Sequence, residues 1–202
     1  MENFFDAKKL WPDAGPYPHF LVLLGEHPAY RAFADAHRDL LAEYGEQLGA
    51  VPPRWLHSTV QGIHHPVDEG RMDLLREAAR AQFRGVGPFT VQLGPTWPGI
   101  TAVTVAMYPE AGMAELNRRA RAAAESVPGI VLRPAESRFW AHSTIAYARA
   151  DFDSRKLNRA LRSLRPERVE VTVDRVHLVD QHQDPQRGTY TWDIVEEFTL
   201  TD

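Results

Sequence analysis

WLHSTV at residues 55–60 and WAHSTI at residues 140–145 are two copies of one pattern, Trp-x-His-Ser-Thr-aliphatic, and the rest of the chain is read outward from them. The copies agree at four of six positions, and the two that differ hold aliphatic or small apolar residues. On a strand, side chains alternate between faces, so Trp, His and Thr share one face of each copy. Leu56, Ser58 and Val60, or Ala141, Ser143 and Ile145, share the other, which suits packing under helices. A single His-x-Thr in a chain with nine histidines is weak evidence. Two copies that share Trp, Ser and a following β-branched residue are much harder to attribute to chance.

The flanks repeat too, and repetition organises the whole molecule. Before the first copy come an apolar strand at 19–24 and a segment from Pro28 to about Leu48 with apolar residues at three- and four-residue steps, as an amphipathic helix requires. Before the second come ITAVTVAMY at 100–108 and a helix over about 110–127. After the first copy a helix is predicted at 68–83 and a strand at 89–94; after the second, a helix at 153–164, with Asp153 as N-cap, and a strand at 169–173. The prolines at 95, 98, 128 and 134 are read as turn punctuation. A last segment, 175–200, reads as a hairpin around DPQRGT at 184–189. The expected fold is therefore α+β and bilobal. Duplicated β-α-β-α-β units, over roughly 19–95 and 100–175, are related by pseudo-twofold symmetry around a central groove. No Gly- or Ser-rich linker separates the halves, so one domain is expected over 1–202.

Two motif faces meeting across a groove present two imidazoles and two hydroxyls to whatever lies between. His57 and His142 can divide general base and general acid, because an unperturbed pKa of ~6.5 lets both protonation forms exist near neutrality. Thr59 and Thr144 can donate to non-bridging phosphate oxygens as charge builds up in the transition state. This inventory suits attack on a phosphodiester and calls for no metal and no cofactor. If Trp55 and Trp140 reach the groove, their indoles would stack on a base, a contact worth roughly 1–3 kcal/mol in single-stranded nucleic-acid sites. Gln61 continues the groove-facing parity of the first motif. Arg138 lies on the His142 face and is the candidate phosphate-binding guanidinium. Arg187 and Tyr190 sit at the late hairpin turn, which is either a plain solvated turn or a loop lying over the groove.

The duplicated His-x-Thr-aliphatic strands and the order of elements resemble the two-histidine phosphoesterase superfamily, which includes the 2′-5′ RNA ligase-like proteins and cyclic nucleotide phosphodiesterases. The resemblance covers nearly the whole chain. It implies a bilobal α+β fold in which each lobe gives one motif strand to a central groove. It also implies 2′,3′-cyclic phosphate or 2′-5′ phosphodiester substrates in RNA ends or small nucleotides, with no metal. The family's motif histidine corresponds to His57 and His142, and its motif hydroxyl to Thr59 and Thr144.

Composition bounds the rest. The chain has 202 residues, 44% hydrophobic and 25% charged, the profile of a globular protein. It has no cysteine, which removes disulfides, thiolate zinc sites and a cysteine nucleophile. Neither a secretory signal nor a spanning apolar run is recognised, and a cytoplasmic monomer is expected. The net charge of −4 argues against a general nucleic-acid coat protein, yet residues 117–175 carry thirteen Arg or Lys against seven Asp or Glu. That stretch is either a set of solvated helix faces or a field that attracts a small anion. His64 and His65 follow the first motif without ligand spacing and are read as structural or solvent-facing. His19, His27, His37, His177 and His182 are read as ordinary surface or boundary residues. Two rival functions remain: a nucleotide- or RNA-binding module without turnover, and a metallohydrolase around His57, His64 or His65.

Overall fold

The computed structural model describes residues 1–6, 10–13 and 15–202. In chain order the first half contains β1 (Tyr17–Val22), α1 (Pro28–Asp35), α2 (Arg38–Ala42), β2 (Leu48–Ala50), β3 (Ser58–Gly62), α3 (Glu69–Phe83) and β4 (Phe89–Pro98). The second contains β5 (Ala102–Tyr108), α4 (Ala111–Glu125), β6 (His142–Ala148), α5 (Arg155–Leu164) and β7 (Val169–Val173), followed by the hairpin β8 (Arg175–Asp184) and β9 (Thr189–Thr199).

The strands form two antiparallel sheets, ordered β3-β1-β8-β9 and β2-β6-β5-β4-β7. Rows β3-β1-β8-β9 and β6-β5-β4-β7 correspond, with a motif strand first and the opening strand of its half second. This is the bilobal α+β arrangement, but its lobes are not contiguous halves of the sequence. β4 leaves the first half to lie beside β5, and the β8–β9 hairpin returns to lie beside β1. The physical reason is local. Only Gly99–Thr101 separates β4 from β5, so a hairpin forms at little loop-closure cost, whereas rejoining β3 requires a crossover over α3. The exchange makes each sheet depend on both halves.

Three local expectations are corrected. The helix predicted over 28–48 breaks at Ala36–His37. His37 is fully buried, and its Nδ1 donates to the Phe33 carbonyl at 2.9 Å, the acceptor its own backbone N–H would use in a continuous helix. That N–H bonds instead to the Ala34 carbonyl, in a tighter turn. The strand predicted to stop at 94 runs on to Pro98, with Pro95 at a register shift between Leu93 and Thr96, where a missing N–H is tolerated. α5 is capped at Ser154 rather than Asp153, whose Oδ1 accepts the Arg155 N–H.

One apolar core runs through both sheets, including Phe20, Val22 and Leu178 from the first and Val103, Val105 and Ile145 from the second. α3 and α4 pack on each other and cover the first sheet, while α5 lies on β4 and α1 on β7. A smaller cluster, Leu21, Leu23, Val179 and Trp192, occupies the other face of the first sheet. Among the described residues no helix is long and apolar enough to cross a membrane.

Candidate active site

β3 and β6 approach each other between the two sheets, and the alternation read from the motifs holds. Leu56, Ser58 and Val60 are buried, as are Ala141, Ser143 and Ile145. His57, Thr59, His142 and Thr144 face a shared cavity of about 190 Å³. Both motif strands carry a register skip at the same place. Leu21 opposes Thr59 and Phe20 opposes Gln61, leaving out Val60; Thr104 opposes Thr144 and Val103 opposes Ala146, leaving out Ile145. Such a bulge re-aims the side chains that follow it. In β6 it sends Tyr147 into the cavity after Thr144. At the matching position of β3 stands Gly62, where a Cβ would lie 2.6 Å from His19 Nε2 and 3.0 Å from His64 Nε2. The pseudo-symmetry is thus broken at one position, a phenol on one side and two imidazoles on the other.

The two motif histidines are anchored identically. His57 Nδ1 lies 2.8 Å from the Trp55 carbonyl oxygen, and His142 Nδ1 lies 3.0 Å from that of Trp140. A carbonyl only accepts, so Nδ1 carries the proton and Nε2 is left as the free basic nitrogen in the neutral ring. Burial pushes the His57 pKa down to about 4, opposed by its bond to the Trp55 carbonyl and assisted by the charge of His142. His142 is lowered too, chiefly by burial, while its carbonyl bond and the Glu136 carboxylate hold it up. His19 repeats the anchor a third time, Nδ1 to the Tyr17 carbonyl at 3.0 Å, and burial pushes it down to about 3.

His19 and His64 line the cavity, as does Gln181. From sequence His64 reads only as a structural or solvent-facing residue or as part of a metal site, and His19 and Gln181 are not singled out as site residues, because nothing in the sequence places β1 beside β3 or β8 beside β1. His37 and His177 are likewise buried rather than at the surface; His177 bonds Glu197 at 3.2 Å. His65 is structural, donating from Nδ1 to the Pro66 carbonyl and accepting the Val131 N–H at Nε2. Among the described residues no group of three or more His, Asp or Glu is arranged to hold a metal ion.

The remaining candidates separate. Tyr190 lines the cavity, within an aromatic wall that includes Phe4, Trp11 and Tyr147. Trp140 stacks on His142, with centroids 4.1 Å apart and planes 17° apart, and with Gln61 it lines an adjoining cleft of about 300 Å³. Trp55 does not line the cavity. It packs edge-on against Trp192, which touches His57, and lies under the Arg54 guanidinium. Arg138 lines neither space; its Nη2 is held 2.6 Å from Glu110. Arg133 lines the adjoining cleft instead, close enough for its charge to disfavour protonation of His19 and His64. Arg187 pairs with Asp184, away from the cavity.

The sequence profile of the 2′-5′ RNA ligase superfamily matches residues 27–185. No curated protein matches in sequence. Among solved structures, TT0787 of Thermus thermophilus is 20% identical and superposes with a TM-score of 0.71 over 91% of this chain and 97% of its own. E. coli LigT complexed with 3′-AMP is 16% identical, with a TM-score of 0.66 over 93% and 99% of the two chains. The PDE domain of MHV ns2 is 8% identical, with a TM-score of 0.57 over 90% and 99%. The profile spans both His-x-Thr strands, and the chain belongs to the 2′-5′ RNA ligase superfamily of two-histidine phosphoesterases.

Proposed function

We propose that this protein is a phosphoesterase that hydrolyses, or reversibly forms, a 2′,3′-cyclic phosphate or 2′-5′ phosphodiester in an RNA end or small nucleotide. It acts by paired-histidine acid–base catalysis within one two-lobed domain. The observation that carries the reading is the pair of identically anchored imidazoles, each with a free Nε2, flanked by Thr59 and Thr144 at one cavity.

The two environments divide the labour. His57 is the more deeply buried and is pushed down to about 4, so it holds the lone pair and takes the proton from the attacking water or hydroxyl. His142, with Glu136 favouring its cation, carries the proton that the pair shares and gives it to the leaving oxygen. Thr59 and Thr144 donate to the non-bridging oxygens, where charge grows in the transition state. The base rests in the adjoining cleft along Trp140, and Arg133 takes the phosphate-facing role assigned to Arg138 from sequence. No step calls for a metal.

The test is turnover of 2′,3′-cyclic nucleotides and of 2′-5′ and 3′-5′ dinucleotides in excess EDTA, for the wild type, His57→Ala and His142→Ala. Activity that survives EDTA and disappears in both variants supports the mechanism. Binding without turnover in every lane favours a non-catalytic module, and loss of activity in EDTA favours a metallohydrolase.

A further inference from the structure

Arginines recur at every third position from Arg159 through Arg162 and Arg165 to Arg168. Residues 155–168 hold six basic residues and one acidic, in a chain of net charge −4. Elsewhere arginines are mostly held by carboxylates, Arg76 and Arg80 by Glu196, Arg118 and Arg119 by Glu115, Arg138 by Glu110. Arg162, Arg165 and Arg168 have no ion-pair partner among the described residues. All three line one cleft of about 600 Å³ between α5 and β4, with Asn158, Thr96 and Trp97.

Two local features mark the walls of this cleft. Arg165 caps α5 at φ 32°, the one non-glycine residue with positive φ among the described residues, at a position where helices favour glycine because a Cβ is crowded. Thr96 Oγ1 is buried without a hydrogen-bond partner, and beside it Trp97 keeps 36% of its surface exposed. Three unpaired guanidiniums along one cleft match a run of phosphates, and the exposed Trp97 at the end of the cleft's strand offers a ring to a base, together the chemistry of single-stranded nucleic acid. Trp97 opposes Thr104 and Thr104 opposes Thr144, so the cleft's strand lies two strands, about 10 Å, from the second motif strand.

We propose that this cleft is a second site, binding the backbone of single-stranded RNA several nucleotides from the end that the catalytic cavity receives. The biological sense rests on the cavity acting on RNA ends, but the binding itself needs no turnover. Three phosphate contacts predict a log–log salt slope near about −2, or an affinity loss of about 20-fold between 50 and 200 mM salt.

The experiment measures fluorescence anisotropy of a labelled ten-nucleotide RNA with an ordinary 3′-hydroxyl. It compares the wild type, the double variant His57→Ala/His142→Ala, and the triple variant Arg162→Gln/Arg165→Asn/Arg168→Gln, each checked for folding by circular dichroism. The triple variant is expected to lose at least tenfold in affinity and most of the salt slope, while its turnover of a cyclic mononucleotide is unchanged. The double variant is expected to bind like the wild type; binding of this kind with no turnover by any protein would sink the catalytic reading and leave the RNA site standing. Equal affinity of triple variant and wild type, or a flat salt response of the wild type, would overturn the site. Binding of poly-glutamate as tightly as RNA would overturn its assignment to nucleic acid.

Discussion

Replacing His19 by Asn is expected to make the protein less sensitive to acid. His19 is 3% exposed, and burial pushes its pKa down to about 3, against ~6.5 in an unfolded chain. Between those values the unfolded state takes a proton that the folded state refuses. The stability is therefore fully present above ~6.5 and drains away as pH falls toward the folded value. At pH 5 the deficit is 1.5 pH units at ~1.4 kcal/mol each, about 2 kcal/mol from His19, with a similar amount from His57, which burial pushes to about 4. Against a total of ~5–15 kcal/mol this is a large share. Asn carries an amide that can still donate to the Tyr17 carbonyl but does not titrate. Urea denaturation at pH 7.5 and 5.0 reads the effect as a difference, so any cavity left by the smaller side chain cancels. The loss of stability between the two pH values should be about 2 kcal/mol smaller in His19→Asn, or roughly 4–8 °C by thermal melting. Equal losses in both proteins would refute the assignment of His19 as a buried neutral imidazole.

His57→Ala and His142→Ala are each expected to lower kcat by at least ~10³. A phosphodiester with a 4-nitrophenolate leaving group, which needs no proton, should restore much of the activity of His142→Ala and little of that of His57→Ala; the reverse pattern would exchange the two roles. Because burial lowers both motif imidazoles, the protonated acid becomes more abundant below neutrality, and kcat/KM should peak below pH ~6.5 in a pH–rate profile. Gly62→Ala should cost roughly 1–3 kcal/mol in urea denaturation, since its Cβ would sit 2.6 Å from His19 Nε2 on a ring too buried to swing away. An unchanged midpoint would show that the two imidazoles do not fill the space opposite Tyr147.

Much of this molecule could be read without coordinates because its signals are local. The period of two in WLHSTV and WAHSTI sorted His57, Thr59, His142 and Thr144 onto one face, and the period of 3.6 placed α3 within a residue of its observed bounds. The duplication showed that there would be two such faces. What the sequence could not contain is which strand edges meet. Pairing of β4 with β5 rather than with its own half, and the return of β8 to β1, depend on long-range closure and decide which residues share a cavity. His19 looked like a boundary residue until β1 was placed beside β3; Trp55 and Arg138 looked groove-facing until Trp192 and Glu110 were found to hold them. That His57, Thr59, His142 and Thr144 share one face of each motif was determined by the sequence alone, because alternation along a strand needs only neighbouring residues. The environment that sets each imidazole's protonation, and the walls that will choose a substrate, were decided only by tertiary structure, because burial and charge are properties of groups brought together from distant parts of the chain.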